Sequence, residues 1–172
     1  MTRWYPAQTA QMIASRLRED CTPATDLLAE LSGQQVTMNA AAGHACWLTG
    51  SDQELLHRGP GTAWGRNGKL VTADGTVVAH TRLILIPAMV PAGALREIKA
   101  GASCGTVLGP PGMTRQDRAA AVTGMDPAVI SSAVLMLKEV IGLAYECITA
   151  DCCRLVAAKT ALRRTGLAVR RN

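Results

Sequence analysis

Along the first 35 residues, apolar positions recur at helical spacing. Over residues 8 to 19, Met12, Ile13 and Leu17 share one side, with Arg16, Arg18 and Glu19 mostly on the other, which predicts an amphipathic helix. A second helix is predicted from near Thr22, with Pro23 in its first turn, through "DLLAEL" to a stop at Gly33. Short β-prone pieces follow at Val36 to Met38 and Cys46 to Thr49, and "DQELLHRGPG" reads as a short helix or turn ended by Gly-Pro-Gly. The clearest signal is "WGRNGKLVTADGTVVAHTRLILIP", two β-rich runs joined by Asp74-Gly75, the dipeptide preferred in type I′ hairpin turns. Beyond Pro87 a helix is predicted from Pro91 to Ala100, closed by Gly101, and "SCGTVLGPPGM" reads as loop. In "DPAVISSAVLMLKEVIG" the Asp-Pro start and Gly stop suit a helix, while Val129, Ile130 and Val134 favour a strand; local rules lean toward helix.

The run "IGLAYECITADCC", Ile141 to Cys153, is β-prone and apolar except for Glu146. As a strand it places Ala144, Glu146 and Ile148 on one face, and Tyr145 and Cys147 on the other. An unpaired carboxylate on a buried face costs several kcal/mol or becomes protonated. Glu146 therefore faces solvent, pairs with a cation, or works.

A chain of 172 residues fits one domain and can bury roughly 70% of its unfolded surface. No apolar run approaches a bilayer span, and the N-terminus lacks the apolar core of a secretory signal, so a soluble, cytoplasmic protein is expected. The six cysteines show no C-x-x-C pair, and His44, Cys46, Cys152 and Cys153 lack zinc-site spacing; core thiols without a metal are expected. Much of the +5 net charge lies in "KTALRRTGLAVRRN", which reads as a solvated basic helix or frayed end rather than a nucleic-acid surface. With no Phe and only five Trp and Tyr, a base-stacking platform is poorly supplied.

Standard motifs fail. "AWGRNGK" ends like a phosphate loop, but Ala63 stands where Gly is needed and Leu70 where a hydroxyl is needed; G-x-S-x-G and H-E-x-x-H are absent. What remains is Arg66 in the first hairpin arm, Arg82 in the second and Glu146 in the late run. Two guanidiniums on one sheet suit a substrate with two carboxylates, although each also reads as an exposed cross-strand charge.

In order, "LLAELSGQ", the hairpin with its W-x-R and D-G turn, "SCGTVL" and "LMLKEVIGLAYE" resemble chorismate lyase, whose fold is shared with the UTRA effector domains of bacterial transcription regulators. The resemblance covers about residues 27 to 150, leaving the N-terminal helix (1–25) and the basic tail (155–172) of a single 1–172 domain outside it. It implies an α+β fold, a mainly antiparallel sheet with helices packed on one side, in which Val134 to Leu137 is a strand. It also implies a cofactor-free carbon-oxygen lyase that converts chorismate to 4-hydroxybenzoate and pyruvate. Arg66 would hold the ring carboxylate and Glu146 would act at the ring hydroxyl. Backbone N–H groups at Cys104 and Gly105 would assist, the loop at Gly33 would cover the pocket, and Arg82 would be a second carboxylate ligand. Arg82 stands one residue farther from Pro87 than in the family, and such a slip changes the sheet face unless a bulge absorbs it. The alternatives are a lyase-fold enzyme for another anionic or polyene compound, and a non-catalytic UTRA-like small-molecule binding domain. The latter normally follows a helix-turn-helix, for which the N-terminal residues give little room. In every case the expected partner is a small molecule, with no nucleic acid and no membrane.

Overall fold

The computed structural model describes residues 6–19 and 23–169. Their elements, in chain order, are α1 (Pro6–Glu19), α2 (Ala24–Ser32), β1 (Val36–Ala40), β2 (His44–Trp47), α3 (Gly50–Leu56), β3 (Thr62–Thr72) and β4 (Val77–Leu85). A 3-10 turn at Pro87–Met89 leads to α4 (Ala92–Lys99), α5 (Cys104–Leu108), β5 (Thr114–Thr123), β6 (Ala128–Met136), β7 (Val140–Ile148) and α6 (Ala150–Val169). Among the described residues the strands form one 7-stranded sheet in the order β1-β3-β4-β7-β6-β5, with β2 also on β3. Every pairing is antiparallel. The molecule is thus α+β, as the resemblance implied.

Antiparallel pairing assigns each side chain to a face. Face A carries Ala144, Glu146 and Ile148 of β7, with Thr81 and Ser131 opposite Glu146 on the two flanking strands. Face B carries Tyr145 and Cys147. One end of face A is covered by α1, α2 and α6, whose Ile13, Leu17, Leu27, Leu28, Cys152 and Val156 pack on Leu70 and Ile148. The other end is covered by α4 and α5 through Ile98 and Leu108, against Trp64, Leu85 and Leu135. On face B, α3 covers one end, with Leu56 against Ile84, Val134 and Leu143. Face A therefore has two separate apolar caps, and the strip between them is polar.

Local rules and tertiary structure disagree in three places. The Asp74-Gly75 turn is not a two-residue type I′ loop, because Thr72 N–H donates to Thr76 O across three residues (3.0 Å) and Gly75 takes a positive φ of 88°. Asp74 selects this form by accepting from Thr72 Oγ1 (2.6 Å) and from the Thr76 N–H (3.1 Å), which holds its carboxyl down at about 2. "SCGTVL", read as loop, is the short helix α5. The Ala128–Met136 segment is strand in spite of its helix-like ends. It lies between β5 and β7, so both edges of its backbone are paired, and its β-branched residues fit the pleated surface better than a helix.

Cys152 and Cys153 are core residues; Cys21 lies outside the described residues. Among the described residues no three His, Cys, Asp or Glu side chains come together as a metal site, and no helix is long and apolar enough to cross a membrane.

Gly142 is the tightest backbone position in the central strands, since a Cβ there would strike the carbonyl oxygen of Ile84. Backbone atoms of a central strand cannot move aside without breaking the ladder. Gly142→Ala is expected to destabilise the fold by about 1–3 kcal/mol, read as a lower urea midpoint; an unchanged midpoint would show that β4 and β7 separate at no cost.

Candidate ligand-binding site

The polar strip on face A is a narrow cleft of about 70 Å³. Its floor includes Arg66 of β3, Thr81 of β4 and Glu146 of β7, and its rim is made by the starts of α2 (Ala24, Thr25) and α5 (Cys104, Gly105). The first N–H groups of a helix have no carbonyl partner within it, so such rims favour negative charge.

Arg66 is only 5% exposed. Its Nη1 donates to Ile98 O (2.9 Å) and its Nη2 to Ala102 O (2.7 Å), two carbonyls at and just beyond the end of α4. Trp64 lies beside the guanidinium, 6.0 Å from ring centroid to Cζ. These contacts fix the side chain without neutralising it: among the described residues no carboxylate pairs with Arg66. Burial lowers its pKa, as expected for a cation taken out of water, and only Cys104 works the other way. A guanidinium has five N–H donors, and two are engaged by these carbonyls.

Glu146 is 6% exposed, and both of its oxygens are engaged within the protein. Arg115 Nη1 donates to Oε1 (2.8 Å) and Ser131 Oγ donates to Oε2 (2.7 Å). Of the three readings open to a carboxylate in this strand, the structure selects pairing with a cation. Burial pushes the Cys104 thiol up to about 11, with Arg115 and Arg66 pulling it part of the way back, so it is a neutral thiol at the rim.

Arg66, Glu146, Cys104 and Gly105 are thus brought together, and two of the expected site residues are not. Gly33 ends α2 with φ 69° at the far end of that helix from the rim, and a Cβ there would strike Lys159 Nζ. The segment beside the cleft is the start of α2. Arg82 borders the cleft in β4, but it pairs with Tyr145 and Asn67 in register, so its side chain leaves on face B. There it meets Asp52 Oδ2 (3.2 Å) and lies 5.6 Å from the Tyr145 ring centroid. The register shift at Leu70/Val71 comes before Arg82 and does not return it to the face of Arg66. A clamp of two arginines on one carboxylate-bearing ligand is therefore not formed.

Two groups of residues were missed. Arg115 lies in β5, "TRQDRAAAVT", whose alanines and charges give no strand signal, and Ser131 lies in the segment that reads as helix. Asp52 is fully buried and accepts from Tyr145 Oη (2.8 Å), Arg82 Nη2 (3.2 Å) and the Thr49 N–H (2.9 Å). It did leave a trace, the Thr49-x-x-Asp52 spacing of a capping box, which the structure forms in full.

No protein-family model and no curated protein matches the sequence. Solved structures do match the fold. PhnF from Mycobacterium smegmatis aligns over 77% of this chain and 66% of its own, at 15% identity and a TM-score of 0.59. Its separately solved effector domain aligns over 91% of its length with the same identity and score. A GntR-family transcriptional regulator from Bacillus cereus aligns over 66% of this chain and 91% of its own, at 11% identity and a TM-score of 0.50. The chain therefore spans just under two thirds of PhnF, and it has the α+β fold of these effector domains.

These matches overturn the lyase expectation. The solved structures just named include an effector domain and a transcriptional regulator, and none of them is described as a lyase, so the assignment as a carbon-oxygen lyase goes, together with chorismate, 4-hydroxybenzoate and pyruvate. The site agrees with this, because Glu146, the carboxylate expected to move a proton, is held by Arg115 and Ser131.

Proposed function

We propose that this chain is a small-molecule binding domain of the sensing kind, which holds a small organic anion in the face A cleft without converting it. The observation that carries this reading is Arg66, a buried guanidinium on the cleft floor with no carboxylate partner among the described residues. A buried cation without a counter-ion is costly, and an incoming carboxylate or phosphate offsets that cost with a fork of charge-assisted hydrogen bonds. A cleft of about 70 Å³ suits an anionic head group of that size. The likeness to effector domains supports binding over catalysis, and the engagement of both Glu146 oxygens agrees with it.

The test uses defined probes: benzoate, succinate, glycerol 3-phosphate and inorganic phosphate, with benzamide and glycerol as uncharged controls. At least one anion should raise the melting temperature and bind calorimetrically, and the controls should not. Proton NMR after overnight incubation should return the bound probe unaltered. Arg66→Ala should weaken binding by about 2–4 kcal/mol, the range for a desolvated charge-assisted pair, and Arg66→Lys should restore part of it. Equal binding of charged and uncharged probes, or full affinity in folded Arg66→Ala, would sink the proposal.

A further inference from the structure

The other face of the same strands is open. Across face B, in-register neighbours form a row, Asn39–Lys69–His80–Cys147–Ile130, running from β1 to β6. The concave surface above it measures about 620 Å³. Five strands at about 4.8 Å spacing make it roughly 19 Å wide, broad enough for a helix or an extended segment and too open to enclose a small molecule. The cap provided by α3 stops short of it.

Its chemistry is one-sided. Lys69 and His80 bring basic groups, and Arg82 stands beside them with its charge paired to Asp52. The two carboxylates nearest the surface are unavailable: Asp52 is fully buried on Arg82, Tyr145 and Thr49, and Glu146 is held on face A. The side chains of Asn39, Asn67, Lys69 and His80 are exposed and bond to no other described residue. Ile130, 51% exposed, adds an apolar contact at the end of the row.

We propose that the open half of face B docks an acidic, partly apolar segment of a protein partner. The partner supplies carboxylates to Lys69 and His80 and an apolar side chain to Ile130. A second copy of this chain is disfavoured, because its matching face would bring the same basic groups and, among the described residues that line it, no free carboxylate. A nucleic acid is disfavoured because the surface has few cations and, among the described residues, its Tyr145 ring is tied to Asp52 and lies against Arg82, leaving only the small His80 ring for base stacking. The location suits a sensor, since Thr81 and Glu146 line the face A cleft while their neighbours Arg82 and Tyr145 stand on face B. Docking itself needs face B alone.

The experiment titrates the full ¹⁵N-labelled chain with a synthetic amphipathic peptide built of Glu-Glu-Leu-Leu blocks. Amide shifts should cluster at residues 67–69, 80–82, 130–132 and 145–147, and binding should weaken with added salt. Lys69→Glu and Ile130→Asp, both surface changes, should each weaken binding at least tenfold while leaving the spectrum folded. Arg66→Ala should leave peptide binding unchanged, which separates this proposal from the one for the cleft. Absence of binding, shifts confined to α6 or to the cleft, wild-type affinity in both face B variants, or equal affinity for a basic peptide or single-stranded DNA would overturn it. Concentration-dependent dimerisation abolished by Ile130→Asp would overturn it as well.

Discussion

Arg115→Ala is expected to lower stability by about 2–4 kcal/mol, although Arg115 belongs to a strand at the edge of the sheet. The substitution leaves Glu146, 6% exposed, with only the Ser131 hydroxyl, and breaking a buried pair by removing one partner strands the other charge. The cost lies below the full buried-pair range because the Arg115 side chain keeps 21% of its exposure and is partly screened by water. Glu146→Gln should cost less, about 1–2 kcal/mol, since the amide still bonds to Ser131 and the charge left without its partner, Arg115, is part-exposed and reaches water. Replacing both residues by Met should return most of the loss, as apolar pairs of similar volume do in place of buried ion pairs. Urea unfolding of Arg115→Met, Glu146→Met and the double closes the cycle. An Arg115→Ala midpoint equal to wild type would mean that Glu146 is hydrated, and the structural reading of its role would fall.

Asp52→Ala should destabilise by a similar amount, about 2–4 kcal/mol, for a different reason. One carboxylate closes the cap of α3, accepts the Tyr145 hydroxyl and pairs with Arg82, so its loss unties α3 from β4 and β7 together. Burial alone would raise the Asp52 pKa, but the hydrogen bonds from Thr49 and Tyr145 and the charge of Arg82 outweigh it and hold the carboxyl below its ordinary value. A carboxylate depressed on folding contributes stability that is fully present above its unfolded pKa of about 3.9 and is lost as pH falls through the folded value. The stability gap between wild type and Asp52→Ala should therefore be flat from pH 7 to about 5 and shrink at lower pH. A gap that widened in acid would show that Asp52 is buried in its protonated form. Tyr145 is the counterpart: burial, and then the hydrogen bond to and charge of Asp52, raise its pKa, so it stays a neutral donor at ordinary pH.

Much of the scaffold follows from local pattern. The period of α1, the stop of α2 at Gly33, the two arms of the hairpin and the alternation in "IGLAYECI" are set by side-chain chemistry within a few residues, and each element appears where that chemistry puts it. The same alternation sends Glu146 to the helix-covered face and Tyr145 to the other. Arg66, with its W-x-R setting in the first arm, was also legible as a candidate anchor.

What stayed hidden depended on neighbours distant in the chain. Whether Ala128–Met136 is helix or strand turns on β5 and β7 flanking it, and the alanines of β5 carry no preference strong enough to announce it. The face taken by Arg82 depends on a register that couples β3, β4 and β7. The role of Glu146 depends on Arg115, 31 residues away, reaching it across β6. Sequence by itself determined which residues could be strand, cap or anchor, because those preferences are local free energies. The tertiary structure alone decided which charges meet, because ion pairing falls off over a few ångströms and only the folded sheet sets those distances.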